Sequence, residues 1–242
     1  MRSNKQQDAF RWKGFRPGPD LGAGHLTLST GYFMQGHAVS YPLHVPSYML
    51  NKFVLHQGKN KPLTPSGDLR MQTAQEWLSS VYETELLIGA ITSVTCPDMA
   101  KKGYAALDRI AARGLTSLPP YFRWPSPFTC IELLVNRSTG LHHDTGGSWT
   151  MHDVLASFGS GHDAVFHIHE LGADICFPPG SLIMLLSKMF QHSADWTIGE
   201  RICVAHFMKD QVHDRVGVAS PRLPRLGEYL SLVGQKPPKR RR

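Results

Sequence analysis

Two polar side chains in the middle of the chain have the types and the spacing of metal ligands. His142 and Asp144 form an H-x-D pair. In an extended segment, residues two apart point to the same side, so this pair can face one ion while His143 points the other way. One more imidazole would complete the two-histidine, one-carboxylate set of non-haem Fe(II) sites, which leaves three coordination positions open.

A third ligand is available downstream of the pair. His192 follows the apolar run 181–186, which predicts a buried strand, and Arg201 lies at the start of the next strand-like segment, 200–207. Antiparallel neighbours of this kind in a jelly-roll barrel place both residues at the same mouth. We therefore expect His192 and Arg201 to lie near the H-x-D pair.

This order of residues resembles the Fe(II)- and 2-oxoglutarate-dependent dioxygenases. The H-x-D pair is followed after about fifty residues by a histidine, and nine residues later by an arginine. Residues 135–139 before the pair, and Trp196 with 199–207 after it, are similar to the fungal TET/JBP-like oxygenases. The resemblance covers about 119–221. The chain lacks the Cys-rich zinc region of animal TET enzymes, so the resemblance is to the minimal oxygenase core.

The resemblance implies a role for each residue of the set. Arg201 would hold the distal carboxylate of 2-oxoglutarate, which suits a planar guanidinium fork. Asn136 and Arg137 would contact the co-substrate or the substrate, although structural turn roles are equally open for them. The Fe(II) ligands would be His142, Asp144 and His192.

The resemblance also implies an activity. The substrate would be a methyl group on a DNA base, 5-methylcytosine oxidised to 5-hydroxymethylcytosine and beyond, with dioxygen consumed and the base leaving the duplex. Two alternatives stay open, because a metal triad does not specify what enters its pocket. One is a 2-oxoglutarate-dependent hydroxylase of a protein or small molecule, and the other is a non-catalytic binding domain derived from an oxygenase.

A second histidine cluster offers a competing metal site. His167, His169 and Glu170 alternate as in cupins. The cupin pattern requires its glutamate several residues later and a further histidine soon after the P-x-G turn, whereas Glu170 is adjacent and His192 lies twelve residues beyond Gly180. We therefore favour a half-buried strand whose solvent or substrate side carries His167 and His169.

The expected fold class is α+β, a double-stranded β-helix (jelly roll) with N-terminal helices buttressing one sheet. One helix is predicted to start with a capping box, Thr73 and Glu76, and to carry the apolar stripe Trp77, Val81, Leu86, Leu87 and Ile91. A second is predicted from Pro97 to Gly114. Strands are predicted at 26–33, 48–55, 129–135, 164–169, 173–177, 181–186 and 200–207, with a Gly-rich loop after Asp144.

The length of 242 residues suits one domain, 25–228, with an N-terminal extension 1–24 and a basic tail 229–242. Because no apolar run approaches eighteen residues, we expect no membrane span, and the start of the chain lacks the apolar core of a secretory signal. The four cysteines are scattered without a C-x-x-C pair, so we expect reduced thiols in an intracellular protein. We expect a monomer.

The charge balance favours polyanionic partners. The formal net charge is +7, and the pI is near 9.3. The cluster 236–242 follows a Pro-rich break and would serve as a nuclear import signal or a phosphate-binding arm, with a solvated end as the alternative. Phe10, Trp12 and Phe15 alternate with basic residues, as in chains that stack on nucleic acid or tuck into an edge strand. We expect DNA as a partner and a nuclear, otherwise cytoplasmic, location.

Overall fold

Two facing antiparallel β-sheets, with helices against the outside of one, make up the described part of the chain. The computed structural model describes residues 14–31, 63, 65–112, 124–144, 146–223 and 234. The strands are β1 (Gly24–Ser29), β2 (Cys130–Val135), β3 (Thr139–His142), β4 (Asp153–Ser160), β5 (Val165–Ile168), β6 (Ala173–Cys176), β7 (Leu182–Leu185), β8 (His192–Asp195) and β9 (Glu200–Phe207). The α-helices are α1 (Gln72–Ser80), α2 (Tyr82–Thr95), α3 (Pro97–Ala112) and α4 (Asp210–Val216).

The strand order is that of a jelly roll. The larger sheet has the order β1-β2-β9-β4-β7 and the smaller sheet the order β3-β8-β5-β6. From β2 onward the chain passes back and forth between the sheets, so that each sheet receives four strands of the barrel. The expected fold class, an α+β jelly roll preceded by helices, is confirmed.

The sequence did not predict β4, an interior strand of the larger sheet. Asp153–Ser160 pairs with β7 on one side and β9 on the other. Its outward face is buried under the helices as well as its inward face, and serine and glycine interrupt the apolar positions. Because both faces are buried, the strand lacks the alternation of a half-exposed strand.

The helices differ from the sequence prediction in their start and their phase. The N-cap of α1 is Met71, which makes no side-chain capping bond, so the capping-box prediction is wrong. Glu76 instead accepts a hydrogen bond from Gln72 Nε2 at 2.8 Å. The helix is interrupted at Val81, and this interruption shifts the buried face of α2. The predicted stripe residues Leu86 and Leu87 are exposed.

The helices cover the outer face of the larger sheet. Leu78 of α1, Ile88 of α2 and Met99 of α3 belong to one buried cluster with outward-facing strand residues such as Ile131 and Val154. A second cluster fills the space between the sheets and includes Phe166, Phe177, Ile183, Leu185 and Trp196. The larger sheet is therefore packed on both faces, which makes it a rigid support for residues on its inner side.

A buried polar pair joins α2 to the larger sheet. His206 of β9 lies within 2.9 Å of a Glu85 carboxylate oxygen through its Nε2, and its Nδ1 lies 3.0 Å from the carbonyl oxygen of Val154. Both side chains are almost fully buried. A carbonyl can only accept, so Nδ1 carries a proton and donates, and the Glu85 contact satisfies the other ring nitrogen.

No helix among the described residues is long and apolar enough to cross a membrane. All four cysteines are free thiols. The predicted strand 48–55, the helix stop at Gly114, Phe10, Trp12 and the tail 236–242 lie outside the described residues.

Candidate metal centre

Three predicted ligands converge at one end of the barrel. His142 ends β3 and His192 begins β8, and the two residues are direct partners across the strands. Asp144 follows two residues after His142. One ligand atom from each side chain lies within 4.8 Å of the others, and no other such group of His, Cys, Asp or Glu occurs among the described residues.

The ring orientations leave the inner nitrogens available to an ion. His142 Nδ1 lies 2.8 Å from the carbonyl oxygen of Gly140, and His192 Nδ1 lies 3.0 Å from that of Phe190. Each Nδ1 must therefore carry the proton, which leaves the Nε2 lone pairs free. The Nε2 atoms lie 3.5 Å and 3.7 Å from the Asp144 oxygens. Metal-binding histidines are oriented by outer hydrogen bonds of this kind.

The electrostatics of the three side chains suit ligation. Burial raises the pKa of Asp144, but hydrogen bonding and charge from the two histidines outweigh it, and the pKa lies below its ordinary value. Burial lowers the pKa of His192. Burial also lowers the pKa of His142, but Asp144 outweighs this effect, and the pKa lies above its ordinary value. An ionised carboxylate and a neutral His192 are the protonation states that a metal needs.

Contacts with neighbouring residues fix His192 and Asp144 in place. The His192 ring stacks on Phe166, with ring centroids 5.5 Å apart. Asp144 has a side chain that is 46% exposed, but its backbone N–H donates to the Ser187 carbonyl at 3.1 Å. The exposed carboxylate marks the open end of the site, and its backbone is fixed.

A cavity of about 330 Å³ runs from the three ligands between the sheets to Arg201. Arg201 is 2% exposed, and its guanidinium lies 5.6 Å from the Phe177 ring. Its Nη1 donates to the Arg137 carbonyl at 2.9 Å, while Nε has no hydrogen-bond partner among the described residues. A buried donor without a partner is costly, so the closed end of the cavity suits an anionic group.

Asn136 and Arg137 differ in their placement. Arg137 lines the cavity, with its guanidinium over the Phe15 ring. Asn136 is not among the lining residues; its Oδ1 accepts from the Arg201 backbone N–H at 2.9 Å, and its Nδ2 donates to the Leu21 carbonyl at 3.1 Å. It also holds a left-handed backbone conformation, φ 50°, which asparagine tolerates. These contacts favour the structural turn role for Asn136 over contact with the co-substrate.

The competing cluster does not surround a common point. His167 contacts Asp174 at 2.6 Å and Asp195 at 3.7 Å, through different ring nitrogens. The side chain of His169 bonds Ser193, and Glu170 accepts from the Gln191 backbone N–H at 2.8 Å. Partners on separate sides of each ring do not form a chelating set, so the cupin-type interpretation has no geometric support.

Sequence reasoning missed Asp153, which also lines the cavity. Burial raises its pKa to about 8, the charge of Asp144 adds to this, and the hydrogen bond from Ser187 opposes it. No local signal marks it, because β4 is buried on both faces and lacks the alternation that would have identified the strand.

Two solved structures are similar to this chain. One is NgTET1 in complex with 5mC DNA, at 16% identity and a TM-score of 0.44, over 69% of this chain and 70% of that chain. The other is a Cupin 2 conserved barrel domain protein from Salinispora arenicola CNS-205, at 18% identity and a TM-score of 0.30, over 41% of this chain and 78% of that chain. No protein-family model and no curated protein matches the chain.

Proposed function

We propose that this protein is an Fe(II)- and 2-oxoglutarate-dependent dioxygenase that oxidises a methyl group on a DNA base, 5-methylcytosine in the simplest case. The observation that carries the proposal is the convergence of His142, Asp144 and His192, with both outer ring nitrogens hydrogen-bonded to carbonyls. The opposite end of the same cavity holds Arg201. This arrangement provides one position for a metal and another for a carboxylate.

The residues fit the implied metal by their chemistry. Two imidazoles and one carboxylate are the donor set of non-haem Fe(II) oxygenases, and they leave positions open for other ligands. When bound, Fe(II) with 2-oxoglutarate and dioxygen supplies the oxidation of a C–H bond. Asp144 contributes the negative charge that retains the cation, and His192 is fixed by its stacking on Phe166.

Arg201 is suited to anchor the co-substrate. Its Nη1 is occupied by the Arg137 carbonyl, and the buried Nε–H remains to bind a carboxylate oxygen. Burial strengthens such a charge-assisted hydrogen bond, because water competes less for the guanidinium. The intervening walls include Leu134, Leu155 and Phe166, which exclude water from the reacting region.

The nucleic-acid substrate rests on the sequence resemblance and on charge. The net charge of +7 attracts a phosphate backbone. A base must leave its stack to reach a cavity of this kind, and about 330 Å³ lies within the range of small-molecule sites.

Anaerobic reconstitution with Fe(II) and 2-oxoglutarate tests the proposal. After oxygen is admitted, succinate and the nucleosides of a 5-methylcytosine oligonucleotide are measured by mass spectrometry. We expect succinate together with 5-hydroxymethylcytosine, unchanged in the matched control His169→Ala, whose ring lies away from the cavity. Absence of succinate would refute the enzyme class. Succinate formation stimulated by a peptide or small molecule, without nucleoside oxidation, would refute the substrate class.

A further inference from the structure

A turn at the mouth of the cavity presents a tryptophan to solvent. Trp149 lies two residues after Gly147, which lines the cavity, and it is 55% exposed. Leu141, the neighbour of the metal ligand His142, and Met189 are exposed as well. Large apolar side chains that are exposed in one region mark a surface that binds a partner. The mouth of the cavity is therefore a candidate interaction surface.

The turn that carries Trp149 is fixed by hydrogen bonds. The buried Ser148 Oγ accepts from the backbone N–H groups of Thr150 at 3.1 Å and of Met151 at 3.3 Å. The same hydroxyl donates to Asp210 Oδ1 at 2.7 Å, which joins the turn to α4. Because the turn is already held in place, less conformational entropy is lost when Trp149 binds a partner.

A cation covers one face of the Trp149 ring. The Lys188 ammonium lies 5.2 Å from the ring centroid, and it donates to the Gly147 carbonyl at 2.9 Å. An ammonium has three donors, so others remain for an anion. More than half of the tryptophan is exposed, so the opposite face of the indole is open. The pair therefore offers a flat apolar face and a positive charge side by side.

The pair of Trp149 and Lys188 lies beside the candidate metal position but outside the cavity. The Gly147 N–H donates to the Asp144 carbonyl at 2.8 Å, and the Asp144 N–H donates at 3.1 Å to the carbonyl of Ser187, the residue before Lys188. Neither member of the pair is among the described residues that line the cavity. A group that binds the pair is therefore a neighbour of the group held in the cavity.

We propose that Trp149 and Lys188 form a platform for the nucleotide adjacent to the substrate base. The base of that nucleotide stacks on the open face of Trp149, and Lys188 contacts the phosphate that joins the two nucleotides. The inference rests on the proposed function, which places the substrate base in the cavity. Every base has a π face, so the platform adds affinity without selecting the flanking sequence.

A double-mutant cycle between protein and oligonucleotide tests the platform. The probes are single-stranded oligonucleotides with one 5-methylcytosine, and they carry an abasic site directly before it, directly after it, or not at all. Their affinity for the protein loaded with Fe(II) and 2-oxoglutarate is measured without oxygen by fluorescence anisotropy. Single strands avoid the energy of opening a duplex, so the measured differences report the contacts of the adjacent base.

The platform predicts a coupling between Trp149 and one adjacent base. Removing that base should weaken wild-type binding by about tenfold, within the range of one base–aromatic contact. In Trp149→Leu, which keeps apolar bulk but no ring, the same removal should change the affinity by less than about twofold. Wild-type binding that is insensitive to both abasic sites, or equal sensitivity in the wild type and Trp149→Leu, would overturn the inference.

Three further variants define the contact. Trp149→Phe keeps a flat ring and should retain most of the coupling. Tyr104→Leu removes an exposed aromatic ring from α3, away from the cavity, and it should behave as the wild type does. Lys188→Gln should lower the salt slope by about 0.7, the value for one phosphate of a single strand, and retain the coupling. An unchanged slope would overturn the phosphate contact.

The same samples separate this inference from the proposed function. After oxygen is admitted, formation of succinate and 5-hydroxymethylcytosine by a protein without the predicted coupling would overturn the platform alone. Absence of succinate and of oxidised nucleoside from the wild type would overturn the proposed function, and the inference with it. Succinate formation that a peptide stimulates and that Trp149→Leu abolishes, without nucleoside oxidation, would assign the surface to a protein substrate and overturn both.

Discussion

The three candidate ligands differ in exposure, and the two histidines are oriented in the same way. Each histidine donates its Nδ1 proton to a backbone carbonyl two residues earlier in the chain, so that its Nε2 faces Asp144. We expect His142→Ala, Asp144→Ala and His192→Ala each to lower Fe(II) affinity by about 100-fold or more and to abolish 2-oxoglutarate turnover, since the loss of an outer-shell partner already costs about 10- to 100-fold. Anaerobic Fe(II) titration and succinate assays measure both effects.

We expect the folded state to survive these changes, because the ligands lie at the end of the barrel, although the His192 ring packs on Phe166 of the cluster between the sheets. Asp144→Asn should also lower Fe(II) affinity and abolish 2-oxoglutarate turnover, since an amide lacks the charge that retains the cation. Full activity in any one variant would remove that residue from the site. His169→Ala is the matched control, and it should bind Fe(II) as the wild type does.

Metal affinity should depend on pH through His142. Asp144 holds the pKa of His142 above its ordinary value, so the ring is protonated over a wider acidic range than a free histidine. Below that pKa the metal must displace a proton, and above it the ring is neutral and ready to bind. Fe(II) affinity should therefore rise as pH increases through the range just above about 6.5, and then level off.

Anaerobic titrations across this range measure the dependence. In Asp144→Asn the negative charge that raises the pKa of His142 is absent, so the remaining pH dependence should move to lower pH. A flat affinity between about pH 6 and pH 8 in the wild type would contradict the assignment of His142 as a ligand.

Co-substrate binding should depend on the shape of the Arg201 side chain as well as its charge. Arg201→Lys keeps a positive charge but cannot form a planar fork, and a lysine ammonium must be desolvated at a buried position. We expect the KM for 2-oxoglutarate to rise about tenfold or more, with Fe(II) affinity unchanged. Arg16→Lys, outside the cavity lining, is the control. An unchanged KM in Arg201→Lys would show that another residue holds the carboxylate.

Among the structural elements, β4 and the turn at Asn136 carry most of what the sequence could not reveal. The triad was predictable because an H-x-D pair at a strand end and a histidine at a strand start are local features. Asp153 was missed because its strand is buried on both faces. The turn role of Asn136 depends on contacts with Arg201 and Leu21, which are 65 and 115 residues away in the chain. Such contacts follow from strand pairing, which no local pattern specifies.

The pair of Glu85 and His206 shows how an element is fixed to the barrel. Removing Glu85 leaves the buried Nε2 of His206 without a partner, and breaking a buried pair in this way costs about 3–5 kcal/mol. We therefore expect Glu85→Ala to lower the free energy of unfolding by about that amount, whereas Glu85→Gln, which still offers a hydrogen bond, should have a smaller effect. Urea denaturation measures both.

The exposed Glu83 on the same helix provides the control. Glu83→Ala removes the same charge without opening the interior, and surface changes of this kind stay within about 0.5 kcal/mol. If Glu85→Ala were as mild as Glu83→Ala, the contact between α2 and the larger sheet would owe its stability to apolar packing alone.

At the scale of the whole molecule, the net positive charge predicts how the affinity for DNA depends on salt concentration. Phosphate contacts release condensed counterions, so the logarithm of affinity should fall linearly with the logarithm of salt concentration, by about 0.9 per phosphate neutralised. Residues 236–242 contribute five of the 26 lysines and arginines. Deleting them should flatten the slope and weaken binding to all sequences by a similar factor.

The same deletion separates attraction from selection. Contacts to phosphate position a protein on DNA without distinguishing bases, whereas the base is distinguished where it is held. Loss of 236–242 should therefore leave the preference for a methylated over an unmethylated oligonucleotide unchanged. Fluorescence anisotropy across a salt series measures both quantities on the same samples. Binding that does not depend on salt, or no binding at low salt, would reject DNA as the substrate and favour a hydroxylase of proteins or small molecules.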